Sequence, residues 1–192
     1  MQNLCNFVSE TLFIIRAQIK LRTMNVNAIA VANYFIELAN SKGVQLRQMG
    51  LMKRVYITHG FCLALYDKPA LDPRFDMVEA WRHGPVIPSV YHSFKYNGNN
   101  PITDMSCIIE DIQKDGDLKI LTPKLHDEDV KKMANMVWEL YKNTKDFELV
   151  ELLHRQGTPW ALCYVEGQNK EIPDLYTSAY YRKLWNAWTN QK

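Results

Sequence analysis

The sequence predicts a mainly α, compact single-domain fold with a minor β-hairpin, and three observations carry that expectation. Apolar residues recur at helical spacing in five separate segments, two short β-favouring runs flank Asp115-Gly116, and no repeat or low-complexity linker divides the chain. With 192 residues, 47% hydrophobic and 23% charged, the chain is long enough and apolar enough to bury one core.

Residues 1–23 differ in pattern from the rest of the chain and are read as an N-terminal extension upstream of a natural start at Met24, with the domain proper at 24–192. Asn25 is placed to cap a first helix in which Ile29, Ala32, Phe35, Ile36 and Ala39 share a face. Gly43 stands where a left-handed residue ends such a helix. A second helix is expected from about Leu46 to Tyr66, with Leu51, Val55, His59, Cys62, Leu63 and Tyr66 on one stripe, stopping before Pro69. So few polar residues interrupt it that it is expected at the centre of the fold. "PALDPRFDMVEAW" is consistent with a turn into either an extended segment or a short helix.

Pro88 suits the first turn of a helix reaching about Tyr96 and closed by "NGNN". Residues 107–121 carry the hairpin signal at Asp115-Gly116. Asp127, Glu128 and Asp129 favour the positive end of a helix carrying Val130, Met133, Val137, Leu140 and Tyr141. Asp146 is read as the cap of a shorter helix that turns Phe147, Val150 and Leu153 inward and ends near Gly157. A last helix starts near Pro173 and carries Leu175, Ala179, Leu184 and Trp188 toward the C-terminus.

Composition narrows the function classes. A formal charge of +2 is not the basic field that binding along a phosphate backbone needs, and no recognition helix is evident, so nucleic acid is not expected as a partner. Cys5, Cys62, Cys107 and Cys163 form no C-x-x-C pair and read as free thiols. The N-terminal apolar run, Leu12 to Ile15, is too short for a secretory leader, and no apolar run is long enough to span a membrane. A cytoplasmic protein is the resulting expectation.

The most unusual run is "EAWRHGPVIPSVYHSFKYNG", Glu79 to Gly98. Gly84 permits any backbone region, Pro85 fixes its own φ and has no N–H, and Pro88 drives Ile87 extended, so the segment is a stiff elbow. The helix that leaves it presents N–H groups near Pro88 to Val90 that can receive an anion or a carboxylate from a partner. Equally, Trp81, Val86, Tyr91 and Phe94 can plug a core around a bend. The elbow is compatible with both readings.

His59, His83, His92, His126 and His154 lack H-x-x-x-H or H-E-x-x-H spacing and cysteine partners, so no metal site and no cofactor is expected. His59, on an apolar stripe, reads as a hydrogen-bonded core histidine, and His154 as an imidazole meeting free carbonyls at a helix end. Glu79 or Asp76 with His83 can form an acid–base pair, which leaves an uncatalogued hydrolase as the enzymatic alternative. No nucleophile elbow or phosphate-cradling loop accompanies the pair.

"MKRVYITHGFCLALYDKPALDPRFDMVEAWRHGPVIPSVYHSFKYNG", then "FELVELLHRQGTPW" and "AYYRKLW", resemble the Panacea-domain family of SocA-like antitoxins, also known as phage-associated proteins. The resemblance runs from about Met24 to Trp188. Its most specific element is Glu79, Trp81, Gly84, Pro85, Val86, Pro88 and Tyr91 followed by Lys95, with His83 before Gly84. His154, Pro159 and Trp160 form a second block. The resemblance implies a mainly helical, non-enzymatic domain that neutralises a toxin encoded beside it, with those residues serving as partner contacts or as the scaffold behind them. An adaptor that delivers its partner to a protease is the alternative binding function.

Overall fold

The computed structural model describes residues 27–112 and 117–190. The expectations for residues 1–23, for a start at Met24, for the Asn25 cap and for the Asp115-Gly116 turn lie outside the described residues. Seven helices and two small sheets are seen among the described residues, so the domain is mainly α as expected. No helix there is long and apolar enough to cross a membrane.

Helix α1 (Asn27–Ser41) ends as the sequence suggests. Gly43 is left-handed at φ +64°, its N–H donates to Asn40 O, and the Val44 N–H donates to Ala39 O, which together satisfy the last carbonyls. Helix α2 (Gln48–Tyr66) is the axis of the molecule. Every residue from Gly50 to Ala64 is buried, because α1, helix α4 (Glu128–Tyr141) and helix α7 (Asp174–Thr189) surround it.

Burial on all sides obliges each polar group on α2 to find a partner inside the protein. Arg54 donates to Gly50 O at 3.1 Å, Tyr141 O at 2.6 Å and Thr144 O at 3.4 Å, and so caps the end of α4. His59 Nδ1 accepts the Ala70 N–H at 3.3 Å, which leaves Nε2 as the protonated nitrogen that donates to Asp174 Oδ1 at 2.8 Å. His59 is therefore the hydrogen-bonded core histidine that the apolar stripe suggests.

Helix α7 crosses α2 at Gly60, where the ring of Tyr181 lies against the bare backbone. That approach fixes the rotation of α7. Thr177 and Tyr181 are buried, and Leu184, Trp185 and Trp188 continue the packed stripe. Leu175, one of the apolar residues that mark this helix in the sequence, is 74% exposed, and Ala179 is exposed as well. Two residues along a helix turn it by about 200°, so a face centred on Thr177 and Tyr181 points Leu175 and Ala179 outward.

The same phase argument corrects two other helices. In α5 (Asp146–His154) the residue before the helix is Lys145, whose N–H is accepted by Glu148, so Asp146 lies within the first turn instead of capping it. Asp146 faces Arg54 at 4.0 Å, Leu149 and Leu153 share that side and are buried, and Phe147 is left exposed. In α4 the interior positions are Val130, Met133, Ala134, Val137 and Trp138, and Leu140, at the edge of that stripe, is exposed.

Strands β1 (Glu79–Trp81) and β2 (Gly84–Val86) form an antiparallel hairpin, and β5 (Lys170–Glu171) extends it in the order β2-β1-β5. The open choice for "PALDPRFDMVEAW" resolves to a loop running into β1. Helix α3 (Pro88–Phe94) comes next, with Pro88 in its first turn, and passes into a 3-10 turn at Lys95–Asn97. Strands β3 (Ile108–Ile112) and β4 (Leu118–Leu121) make the second sheet, at the expected hairpin. Helix α6 (Pro159–Cys163) completes the set.

A carboxylate from inside the molecule lies at the start of α3, where it takes a side-chain hydroxyl. Asp76, buried, accepts Ser89 O–H at 2.6 Å, Ala28 N–H at 3.3 Å and Asp72 N–H at 3.4 Å, so one side chain holds the first turns of α1 and α3 together. Burial pushes its carboxyl up from the usual range while those three bonds pull it down. Asp76→Ala strands three donors and is expected to lower stability by about 2 kcal/mol, read as an earlier urea midpoint with an unchanged slope.

Candidate functional site

Residues from four elements converge on the backbone of Gly84. The β1–β2 turn consists of Arg82 and His83, both exposed, after which Gly84 pairs with Trp81 at φ +97°. A side chain is disfavoured there on two counts. The backbone region is one that residues with a Cβ rarely adopt, and a Cβ would lie 3.0 Å from Lys53 Nζ and 3.2 Å from His154 Nε2. Helices α2 and α5 thus each press a nitrogen against this one glycine.

Lys53 is 0% exposed, and its Nζ donates to Pro85 O at 2.9 Å. Burial lowers its pKa to about 7, since a buried ammonium loses hydration that one carbonyl does not replace. The His154 ring stacks face to face on Trp160 at 3.7 Å and 2°, and Tyr164 continues the column at 4.6 Å. Its Nε2 is buried without a hydrogen-bond partner. Burial, then the charges of Lys53 and His83, push its pKa below the usual imidazole range, against a hydrogen bond to the His83 backbone.

Thr158 starts α6: its Oγ1 accepts the Ala161 N–H and donates to Leu153 O and Arg155 O, with Pro159 in the first turn. That local geometry aims Trp160 at the hairpin, where its Nε1 donates to Trp81 O at 2.8 Å. Trp81 lies edge-on to Tyr91 at 4.9 Å and donates from Nε1 to Glu79 Oε2 at 2.6 Å. Tyr91 in turn offers its carbonyl to Gln48 Nε2 at 2.8 Å.

Of the residues singled out in the sequence, Glu79, Trp81, Gly84, Pro85, Tyr91, His154 and Trp160 are brought into this one assembly. Val86 and Pro159 are buried beside it, and Pro88 begins α3. Lys95 is exposed, with its ammonium over the Tyr96 ring at 5.5 Å. The carboxylates weighed as acid–base partners of His83 have other occupations, Glu79 with Trp81 and Asp76 with Ser89, Ala28 and Asp72. No group of three or more His, Cys, Asp or Glu suited to a metal ion occurs among the described residues.

Lys53, Tyr164 and Thr158 are site residues that the sequence did not single out. A lysine inside a helix with few polar residues was the available signal for the first, and Thr-Pro after Gly157 the signal for the third. Gly84→Ala tests the assembly. It adds left-handed strain and crowds two nitrogens that must each give a few tenths of an ångström, so a loss of about 2 kcal/mol is expected in urea unfolding. A Gly84→Ala protein as stable as its parent would contradict this crowding.

The arrangement defines a helical domain in which signature residues of the hairpin, α5 and α6 pack on one another and on α2. The family model for "Antitoxin SocA-like, Panacea domain" matches residues 51–161, which contain all of these positions. The chain is also 30% identical over 138 residues to Antitoxin SocA of Caulobacter vibrioides (strain NA1000 / CB15N), covering 71% of this chain and 69% of that protein. It belongs to the SocA-like, Panacea-domain antitoxin family. No solved structure matches it.

Proposed function

We propose that this chain is an antitoxin that works in the cytoplasm by binding a toxin protein encoded near it, with no enzymatic step. Membership of the SocA-like family is the observation that carries the reading. The use of the signature residues supports it: His154, Trp160, Trp81 and Glu79 engage one another or the hairpin backbone, and Lys53 joins them from α2, as a scaffold requires. Glu79 to Tyr91 and His154 to Trp160 then hold the fold, and the toxin is met by the surface around them.

Coexpression of the adjacent gene with and without this chain, scored by growth and by co-purification, tests the reading. Toxicity of the neighbour alone, relieved by this chain with recovery of a complex, is the expected result. A harmless neighbour, or one that stays lethal, overturns it.

A further inference from the structure

We propose that the toxin docks on the surface made by the loop after α1 and the turn after α3, seating an acidic segment of its own on Tyr96 and the cations Lys42, Arg47 and Lys95. The proposal rests on the antitoxin reading and names a contact surface for it. Tyr96 is 87% exposed, more than any other large apolar side chain among the described residues. Tyrosine is a frequent anchor of protein interfaces, because its ring offers a large contact area and has only two torsions to fix on binding.

The backbone that carries this ring is tied down on both sides. Gly98 N–H donates to Lys95 O at 3.2 Å, Asn100 N–H to Asn97 O at 2.9 Å and Asn97 Nδ2 to Phe94 O at 3.0 Å, which closes the turn on the end of α3. Arg47 Nε donates to Asn99 O at 3.0 Å and Ile102 N–H to Leu46 O at 2.8 Å, so the turn and the chain leading into α2 form one surface. A ring presented on backbone already fixed lowers the ordering cost of binding.

The chemistry of the occupant follows from the charges on that surface. Residues 40–48 and 94–102 contain Lys42, Arg47 and Lys95 and no Asp or Glu, and all three cations are exposed. Lys95 holds its ammonium over the Tyr96 ring at 5.5 Å and Arg47 spends one donor on a carbonyl, so neither is neutralised by a described carboxylate. Glu139, the acid that Lys42 reaches, is paired with Lys142. Three cations and a phenol O–H are all donors, and the carboxylates of an acidic peptide match them in sign and in hydrogen bonding. A phosphate backbone would match the sign as well, but a formal charge of +2 is too small a field to hold one.

The test uses the full chain coexpressed with the toxic product of the adjacent gene. Tyr96→Ala is expected to weaken capture of the toxin at least ~30-fold, and Lys42→Glu/Lys95→Glu at least ~100-fold with loss of growth rescue. The thermal midpoint of each variant is expected to stay within about 2 °C of the parent's, because all three side chains are exposed. Lys132→Glu/Lys183→Glu, which changes the net charge equally at exposed positions on α4 and α7, is expected to rescue fully. Acetylation by acetic anhydride supplies a measurement on the unaltered chain, with Lys42 and Lys95 expected to react more slowly in the complex.

Tyrosine and lysine variants that rescue like the parent, or equal acetylation of Lys42 and Lys95 in the complex and the free chain, overturn the proposal while leaving the antitoxin reading intact. So does a control pair that loses as much as Lys42→Glu/Lys95→Glu, since net charge alone is then responsible. A dimer of the chain broken by Tyr96→Ala assigns the surface to a second copy. Salt-sensitive binding of duplex DNA that Lys42→Glu/Lys95→Glu abolishes, with capture of the toxin unchanged, assigns it to nucleic acid. Either of these also overturns the proposal, and failure of the parent to rescue sinks both readings.

Discussion

Gly60→Val is expected to loosen α7 from the core and to cost about 3 kcal/mol. A Cβ at Gly60 would sit 2.8 Å from Cγ of Tyr181 and nearer still to Cδ2 and Cε2. The ring cannot retreat, since Phe61 meets it at 4.9 Å, Tyr180 at 5.3 Å and Tyr56 at 6.1 Å. The two helices must separate instead. Trp185 and Trp188, which pack on Phe61, leave with α7. The expected record is an earlier urea midpoint together with a red-shifted tryptophan emission. Gly60→Ala should move the same way by less, because alanine's helix preference returns about 1 kcal/mol. A Gly60→Ala chain more stable than its parent would show that Tyr181 does not seat α7 against Gly60.

Stability is expected to rise by about 2 to 3 kcal/mol between pH 7 and pH 9, and Lys53 is the cause. Its folded pKa is lowered to about 7 while the unfolded chain keeps the ordinary value of 10.5. Across that window the unfolded state binds the extra proton, so alkali favours the fold by about 1.4 kcal/mol per pH unit. His154, also lowered, acts in the same direction at the acid side of the window. Above pH 9 the trend reverses. Burial raises Cys62 to about 12 and raises Tyr56 and Tyr181 above their ordinary values, so the unfolded chain is the first to lose those protons. Thermal midpoints at pH 7, 8 and 9 are the measurement, with a rise of about 5 to 10 °C expected for the parent. Lys53→Met should flatten the profile. An equal slope in both proteins would show that Lys53 does not carry it.

The helices were legible because burial repeats every three to four residues, and most of their stop signals are local: Gly43 ends α1 by its own φ. The rotation of α7 was not, because Leu175 and Tyr181 look equally apolar until the Gly60 groove selects one of them. The β1-β2-β5 sheet was invisible for a related reason. Its strands are two or three residues long, and β5 joins only through the long-range pairings of Glu79 with Glu171 and Ala80 with Lys170. In the site, Gly84 and Pro85 announced themselves through backbone chemistry, and Trp81 and Trp160 through the signature. Lys53 did not, since its significance lies in its burial beside Pro85, Gly84 and His154, a property of the hairpin and of α5 packed on α2 and not of its neighbours in sequence.

The groove at Gly60 also has a consequence for biosynthesis. Its filler, Tyr181, belongs to the last helix, while α2 is complete by Tyr66. A ribosome adding about 5 to 20 residues per second leaves that flank of α2 uncovered for on the order of ten seconds, during which the nascent chain offers it to any chaperone within reach.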